Sequence, residues 1–161
     1  MYDALTIARY IVNYSNKIDD VWLSNLKLQK LLYFCQAYFL LDKGLPCFRD
    51  TIEAWDFGPV VPAVYHEFKR FGAGWIPPVK QYYHKPDPKK PFDFVTMDFD
   101  ETSIDKKTRK LVEDVVDNFK DYNNVALTTL AHGQEPWKRA FSSSMGNTIT
   151  NESLVDYFSK D

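Results

Sequence analysis

The sequence predicts a mainly α-helical domain, compact and multi-helical, with a small two- or three-stranded β-sheet. Apolar residues recur at helical spacing in several segments, prolines and glycines separate these segments, and alternation of apolar and polar residues is confined to short stretches. The 161 residues are enough for one domain with its own core. Hydrophobic residues make up 45% and aromatic residues 16%, which argues against disorder. We therefore interpret residues 1–161 as a single domain.

Two helices are predicted in the first 43 residues. Asp3 precedes apolar residues at helical spacing and predicts a helix over residues 3–15. Ser24 is placed to cap a second helix that reaches Lys43, where Gly44 supplies the stop. Apolar residues cover more than one stripe of the second helix, which is typical of a central helix packed by several neighbours.

The middle of the chain predicts an extended segment, a helix and an insertion. Residues 47–57 favour extended structure, Gly58-Pro59 breaks it, and residues 60–71 predict a helix with Pro62 in its first turn. Residues 77–100 hold five prolines and a lysine cluster. Because residues 92–99 alternate apolar and polar positions, we expect a loop-and-strand insertion whose strand pairs with residues 52–55.

The last 60 residues predict helices again. An apolar stripe with charged residues opposite predicts a helix over residues 105–122, and a shorter helix is expected over residues 125–132. Pro136 begins another helix, and Asn147 leads to a last one.

Composition and cysteine spacing narrow the function classes. The net charge of −2 provides no global basic field that would attract nucleic acid. Cys35 and Cys47 have no CxxC spacing, which fits a reducing cytoplasm; we expect Cys35 to be buried and Cys47 exposed. His66 and His84 show no ligand spacing, so we predict no metal and no cofactor. The longest apolar run is too short for a membrane, and we expect a cytoplasmic protein without a signal peptide.

Three motifs carry a family resemblance. In chain order they are LKLQKLLYF at 26–34, EAWDFGPVVPAVY at 53–65 and LAHGQEPWKRA at 130–140. Together they resemble the Panacea domain, also called SocA-like, which is found in bacterial and phage antitoxins. The resemblance implies a mainly helical antitoxin that neutralises a co-encoded toxin by direct protein contact, and the family's partner toxins differ in fold.

We expect the toxin contacts in the 77–100 insertion and at the edge near Trp55, because loops on rigid scaffolds carry recognition. Exposed aromatic residues are the types that dominate protein–protein hot spots. The candidate partner-binding residues are Trp55, Asp56, Phe57, Tyr65, Tyr82, Tyr83, His132 and Trp137.

His132 and Glu135 allow two interpretations. A histidine near a carboxylate resembles an acid–base pair, and this would suit an enzyme that reverses toxin damage. The structural alternative has Pro136 starting a helix, Trp137 packing beneath it and His132 hydrogen-bonded at the preceding helix end. Because no nucleophile or metal box accompanies the pair, we favour a non-enzymatic protein.

Charged residues leave further alternatives open. A basic surface formed by Lys27, Lys30, Lys69 and Arg70 beside Tyr33 would bind nucleic acid, as an autoregulator does, whereas the ordinary alternative is a solvated helix face. Glu53 and Asp56 are expected to pair with Lys27 or Lys30. The carboxylates of Asp98, Asp100, Glu101 and Asp105 suit a basic toxin surface or an ordinary helix start. A proteolytic adaptor is another alternative to direct neutralisation.

Overall fold

The computed structural model describes residues 1–160 and confirms a mainly helical fold with minor β structure. Its longer elements follow the predicted order. The helices among these residues are α1 (Ala4–Ser15), α2 (Asn25–Lys43), α3 (Pro62–Phe68), α4 (Lys106–Phe119), α5 (Asn124–His132), α6 (Glu135–Ser142) and α7 (Asn151–Phe158). The strands are β1 (Ile52–Trp55), β2 (Gly58–Val60), β3 (Gln81–His84), β4 (Val95–Asp98) and β5 (Thr148–Ile149).

Local sequence signals set the helix ends as predicted. The Asp3 side chain accepts a hydrogen bond from the Thr6 N–H at the start of α1, and Ser24 does the same for the Lys27 N–H in α2. Gly44 ends α2 in the left-handed conformation, with φ of 70°. These caps satisfy backbone groups that a helix end would otherwise leave without partners.

Helix α2 is the centre of the fold, as its broad apolar surface predicted. It contacts α1, α3, α4, α5 and α7 as well as strand β2. Its aromatic residue Phe34 stacks on Phe119 of α4, with ring centroids 4.3 Å apart. Phe158 of α7 meets the same ring edge-on at 6.3 Å. The core of the domain therefore surrounds α2 on most of its circumference.

Polar residues of α2 hold the neighbouring loops. The Gln36 side-chain oxygen accepts hydrogen bonds from the backbone N–H groups of Cys47 and Phe48, at 2.9 and 3.1 Å. The Gln29 oxygen accepts from the Val61 N–H at 2.9 Å, next to the start of α3. These bonds pair backbone groups in a part of the core that water does not reach.

The strand pairing corrects the prediction for residues 92–99. Strand β4 pairs with β3 in a separate two-stranded antiparallel sheet, whereas the other sheet has the order β2-β1-β5. Strand β1 therefore has β2 on one edge and β5 on the other, and no edge remains for β4. Three further corrections concern element bounds. Gly58-Pro59, which was predicted to break the extended segment, belongs to strand β2, and α3 begins at Pro62 instead of Val60. Strand β5 was not predicted.

The prediction for the cysteines is confirmed for Cys35 and wrong for Cys47, because both are fully buried. The Cys47 carbonyl accepts from the Tyr2 N–H at 3.0 Å, and its own N–H is held by Gln36. This pairing draws the segment after α2 into the core. Burial raises the pKa of the Cys47 thiol to about 12, which keeps it unreactive near neutral pH.

Within residues 1–160, no helix has the length and the apolar character that crossing a membrane requires.

Candidate partner-binding surfaces

Four of the predicted candidates lie together in an aromatic cluster, which we call the Trp55–Trp137 cluster. The Trp55 ring meets the Tyr65 ring edge-on at 5.1 Å, which joins β1 to α3. The Trp137 indole N–H donates to the Trp55 carbonyl at 2.9 Å and thereby fixes α6 against β1. The His132 ring lies on Trp137, with centroids 4.0 Å apart. Because Trp55, Tyr65 and Trp137 are all partly buried, this cluster connects the sheet to the helices.

His132 does not form the acid–base pair with Glu135. The Glu135 carboxylate pairs with Arg139, one turn along α6, at 3.6 Å. The Nε2 atom of His132 is buried and has no hydrogen-bond partner within residues 1–160, so the predicted hydrogen bond is not formed by this atom. The predicted packing of Trp137 is confirmed, since it packs against the core, contacts the tilted His132 ring and stacks on Phe141.

The turn between β1 and β2 presents the remaining two candidates of this region. Asp56 is exposed, and 62% of Phe57 is accessible to solvent. The predicted pairing of Glu53 and Asp56 with Lys27 or Lys30 is wrong. Lys30 Nζ donates to the Pro59 carbonyl at 3.3 Å.

The other two residues of the predicted pairing also have different partners. Lys27 Nζ donates to the Lys120 carbonyl at 2.8 Å, and Glu53 accepts from the Trp55 indole N–H at 3.1 Å. Both lysines therefore hold backbone carbonyls of neighbouring segments in place of carboxylates.

The predicted basic surface is not formed. Lys27 and Lys30 are buried, as is Tyr33, whose hydroxyl donates to the Gln134 side chain at 2.8 Å. Burial lowers the pKa of Lys30 to about 7. Lys69 and Arg70 remain exposed at the end of α3. Without Lys27 and Lys30, these two adjacent cations are an ordinary solvated surface and form no extended basic face for nucleic acid.

The predicted acidic patch consists of residues that have structural partners. Asp100 accepts from the Thr102 N–H, and Asp105 caps α4 through the Thr108 N–H. Hydrogen bonds from Thr108 and Tyr2 lower the pKa of Asp105 to about 2. Asp98 accepts from Gln81 at 2.9 Å, and Glu101 lies 3.8 Å from Lys17 and from Arg109. The interpretation as an ordinary helix start is the one the contacts support.

Tyr82 and Tyr83 lie on the β3–β4 hairpin, the name we use for residues 81–98. Tyr82 is partly buried beside Arg9, whereas Tyr83 is 72% exposed. Every residue of β4 is exposed. The large apolar side chains that the hairpin leaves in solvent are those of Tyr83, Phe92, Phe94, Val95 and Met97.

The base of the hairpin is attached firmly to α1. The Asn13 side-chain amide donates to the Val79 carbonyl at 2.9 Å and accepts from the Val79 N–H at 2.6 Å. On the other strand, the Phe99 N–H donates to the Lys80 carbonyl at 2.8 Å, and the Phe99 ring packs against the core. The hairpin therefore presents its exposed side chains from a fixed root.

A further aromatic surface, which sequence reasoning missed, is the cleft between Trp22 and Trp75. Its volume is about 530 Å³, and it extends to Tyr122 and the residues that follow α4. Trp22 is 78% exposed, and the Trp75 indole N–H donates to the Asn16 side chain at 2.8 Å. These aromatics come from three distant segments. Only the packing of the helices brings these segments together, so no local signal could have identified the cleft.

The fold is thus a helical scaffold with a rooted, exposed hairpin. The sequence matches the family described as Antitoxin SocA-like, Panacea domain, over residues 28–138, and the chain belongs to this family. It is 45% identical over 74 residues to the protein named Antitoxin SocA from Caulobacter vibrioides (strain NA1000 / CB15N). That match covers 46% of this chain and 39% of the relative, well under half of the relative's length. No solved structure matches the chain significantly.

Proposed function

We propose that this protein is an antitoxin that neutralises a co-encoded toxin by direct contact, with the β3–β4 hairpin as the principal contact surface. Membership of the antitoxin family supports the role. The observation that carries the choice of surface is the number of large apolar side chains that the hairpin leaves exposed, including Tyr83, Phe92 and Met97. The hairpin also lies inside the segment that matches the family.

The physical reason is the cost of leaving such side chains in water. Each apolar residue exposed on the hairpin forgoes the free energy of burial, about 25 cal/mol per Å². Contiguous exposed apolar surface on a folded domain commonly marks an interaction site. A partner that covers Phe92 and Phe94 recovers this free energy, and the rooted base keeps the ordering cost of the hairpin small. Covering the toxin's active residues by this contact would block them.

Charge at the hairpin tip indicates how the partner approaches. The loop between β3 and β4 holds Lys85, Lys89 and Lys90 together with Asp87 and Asp93, so its net charge is +1. This charge favours an acidic patch on the toxin next to the apolar contact. It differs from the acidic antitoxin face expected from the sequence, whose carboxylates have structural partners.

Coexpression tests the proposal. Cells that carry the co-encoded toxin should grow only when this protein is also produced, and the two chains should copurify as a complex. Rescue of growth without any complex would contradict neutralisation by direct contact. If toxin levels fall only in the presence of this chain, the result favours the proteolytic adaptor. If His132→Ala abolishes rescue while the complex persists, it favours an enzyme that reverses damage.

A further inference from the structure

A small pocket lies between α1, α3 and the β3–β4 hairpin and has a buried arginine in its wall. Its volume is about 190 Å³. The polar residues that line it are Arg9, Glu67, Arg70, Gln81, Tyr82, Tyr83 and Thr96. None of these residues belongs to the Trp55–Trp137 cluster. The pocket is therefore a separate feature, next to the proposed toxin contact.

Arg9 is 6% exposed, and its guanidinium lies over the Tyr82 ring with Cζ 3.6 Å from the ring centroid. Within residues 1–160, the ion pairs that arginines form are those of Arg49, Arg109 and Arg139. Arg9 has no such pair. Burial lowers the pKa of Arg9, while Glu67 and Asp3 favour its charged form from beyond ion-pair distance. The cation thus remains charged and without a contacting carboxylate.

The buried guanidinium of Arg9 is unfavourable in free energy unless an anion pairs with it. Burying a cation without a paired anion carries a desolvation penalty. Stacking on Tyr82 offsets part of the penalty at the face of the guanidinium. The N–H groups at its edge form a planar fork, and such a fork matches the two oxygens of a carboxylate. Tyr82 fixes the plane of that fork in advance, which lowers the ordering cost of binding.

We propose that this pocket receives the side-chain carboxylate of an aspartate or glutamate from a partner protein, which rests on the proposed antitoxin function. The volume of about 190 Å³ is below the range of roughly 300–1,000 Å³ that small-molecule sites occupy, so a single functional group fits better than a nucleotide. Arg9 and Arg70 contribute two positive charges and Glu67 one negative charge, which leaves +1 at the pocket. One carboxylate neutralises this charge, whereas a phosphate dianion exceeds it.

The carboxylate and the apolar surface would make different contributions to binding. The exposed hairpin residues supply buried area, and the ion pair in the pocket fixes the register of the partner, since a bidentate contact tolerates little displacement. A toxin without an acidic residue at the matching position would leave Arg9 unpaired beneath the interface. The pocket would thus add specificity to a contact that apolar area alone leaves permissive.

The isolated protein provides the first test. ¹⁵N-labelled protein is titrated with N-acetyl-glutamate methylamide, and the Arg9 Nε–H resonance is followed by NMR. Saturable shifts at Arg9 and Tyr82 are expected, with none for the glutamine analogue and none in Arg9→Gln. The proposal is overturned if both analogues act alike, if no saturable shift occurs, or if inorganic phosphate binds more tightly than the carboxylate.

The toxin complex provides the second test. Arg9→Gln should weaken toxin binding by about tenfold or more, because a charged hydrogen-bonded contact is lost. Arg9→Lys should fall between Arg9→Gln and the wild type, since it keeps the charge and loses the fork. Arg49→Gln, at an exposed arginine, is the matched control and should bind as the wild type does.

The two tests separate the two proposals. Circular dichroism and the thermal midpoint verify that each variant is folded. If wild-type protein does not bind the toxin at all, the proposed function fails, and the titration still decides whether the pocket binds a carboxylate. If folded Arg9→Gln binds the toxin with unchanged affinity, the proposed role of the pocket is contradicted and the proposed antitoxin function is not.

Discussion

Helix α2 and the β3–β4 hairpin both depart from the usual distribution of residues. The helix buries polar side chains, whereas the hairpin exposes apolar ones. The helix buries Gln29, Lys30 and Gln36 completely or almost completely. The hairpin leaves Phe92 at 92% and Phe94 at 56% exposure. In most proteins the polar groups would be outside and the aromatic rings inside.

The difference distinguishes side chains that hold the fold together from exposed side chains that the proposed function assigns to partner contact. Each buried polar group of α2 holds a backbone group of a neighbouring segment: Gln36 the loop at Cys47, Gln29 the start of α3, and Lys30 the carbonyl of Pro59. The exposed rings of Phe92 and Phe94 on the hairpin hold no backbone group in this way. We infer that the polar residues of α2 stabilise the fold, and we propose that the apolar residues of the hairpin bind a partner.

The largest effect on the structural side is expected from Gln36→Leu. The substitution leaves the Cys47 N–H and the Phe48 N–H and carbonyl without their partner in the core. At roughly 1–3 kcal/mol for each unsatisfied buried group, the free energy of unfolding should fall by about 4 kcal/mol. Urea denaturation measures it. Asp42→Leu, on the exposed side of the same helix, is the control, and an equal loss in both variants would contradict this role of Gln36.

A smaller effect is expected from Gly58→Ala. Gly58 has φ of 102°, and a Cβ there would lie 2.6 Å from Cε of Lys30. The free energy of unfolding should fall by about 2 kcal/mol from backbone strain and this clash together. Gly146→Ala has a comparable φ of 113° with open space around it, so it reports the strain alone. If thermal unfolding shows the same loss of stability in both variants, the contact between Lys30 and strand β2 contributes nothing to the effect of Gly58→Ala.

A pH-dependent effect tests the burial of Lys30. Its folded pKa is about 7 and its ordinary value 10.5, so the folded state carries the full cost of the charge below pH 7. Between these values the unfolded chain keeps the proton that the folded chain has released, and stability therefore rises with pH. The unfolding free energy of the wild type relative to Lys30→Met should increase by about 1 kcal/mol per pH unit from pH 7 to 9. A flat difference would show that the lysine reaches solvent.

Local signals in the sequence were sufficient for the order of the helices and for the ends of α1 and α2 that a side chain or a glycine caps. Asp3, Ser24 and Gly44 act within one turn of their own position, so the caps could be predicted from neighbours alone. The aromatic cluster was predicted in part, because Trp55 and Trp137 lie in motifs typical of the family. Their contact across 82 positions was not apparent from either motif.

What could not be predicted depends on distant segments. Cys47 is buried because Tyr2 pairs with its backbone, and no pattern near Cys47 indicates that contact. Lys30 appeared to be a solvated lysine, since helical spacing cannot show that strand β2 covers it. The pocket at Arg9 exists because the hairpin folds back onto α1, whereas its strand had been expected to join the other sheet.

The most direct test of the account is toxin binding by Phe92→Ser/Phe94→Ser, compared with Trp22→Ser in the cleft between Trp22 and Trp75. All these side chains are exposed, so the free energy of unfolding should change by less than about 0.5 kcal/mol in each variant. Calorimetric titration with the co-encoded toxin should then show binding weakened by about 100-fold in the hairpin variant and unchanged in Trp22→Ser. Full affinity in the hairpin variant, with loss in Trp22→Ser, would contradict the assignment of the hairpin as the contact surface.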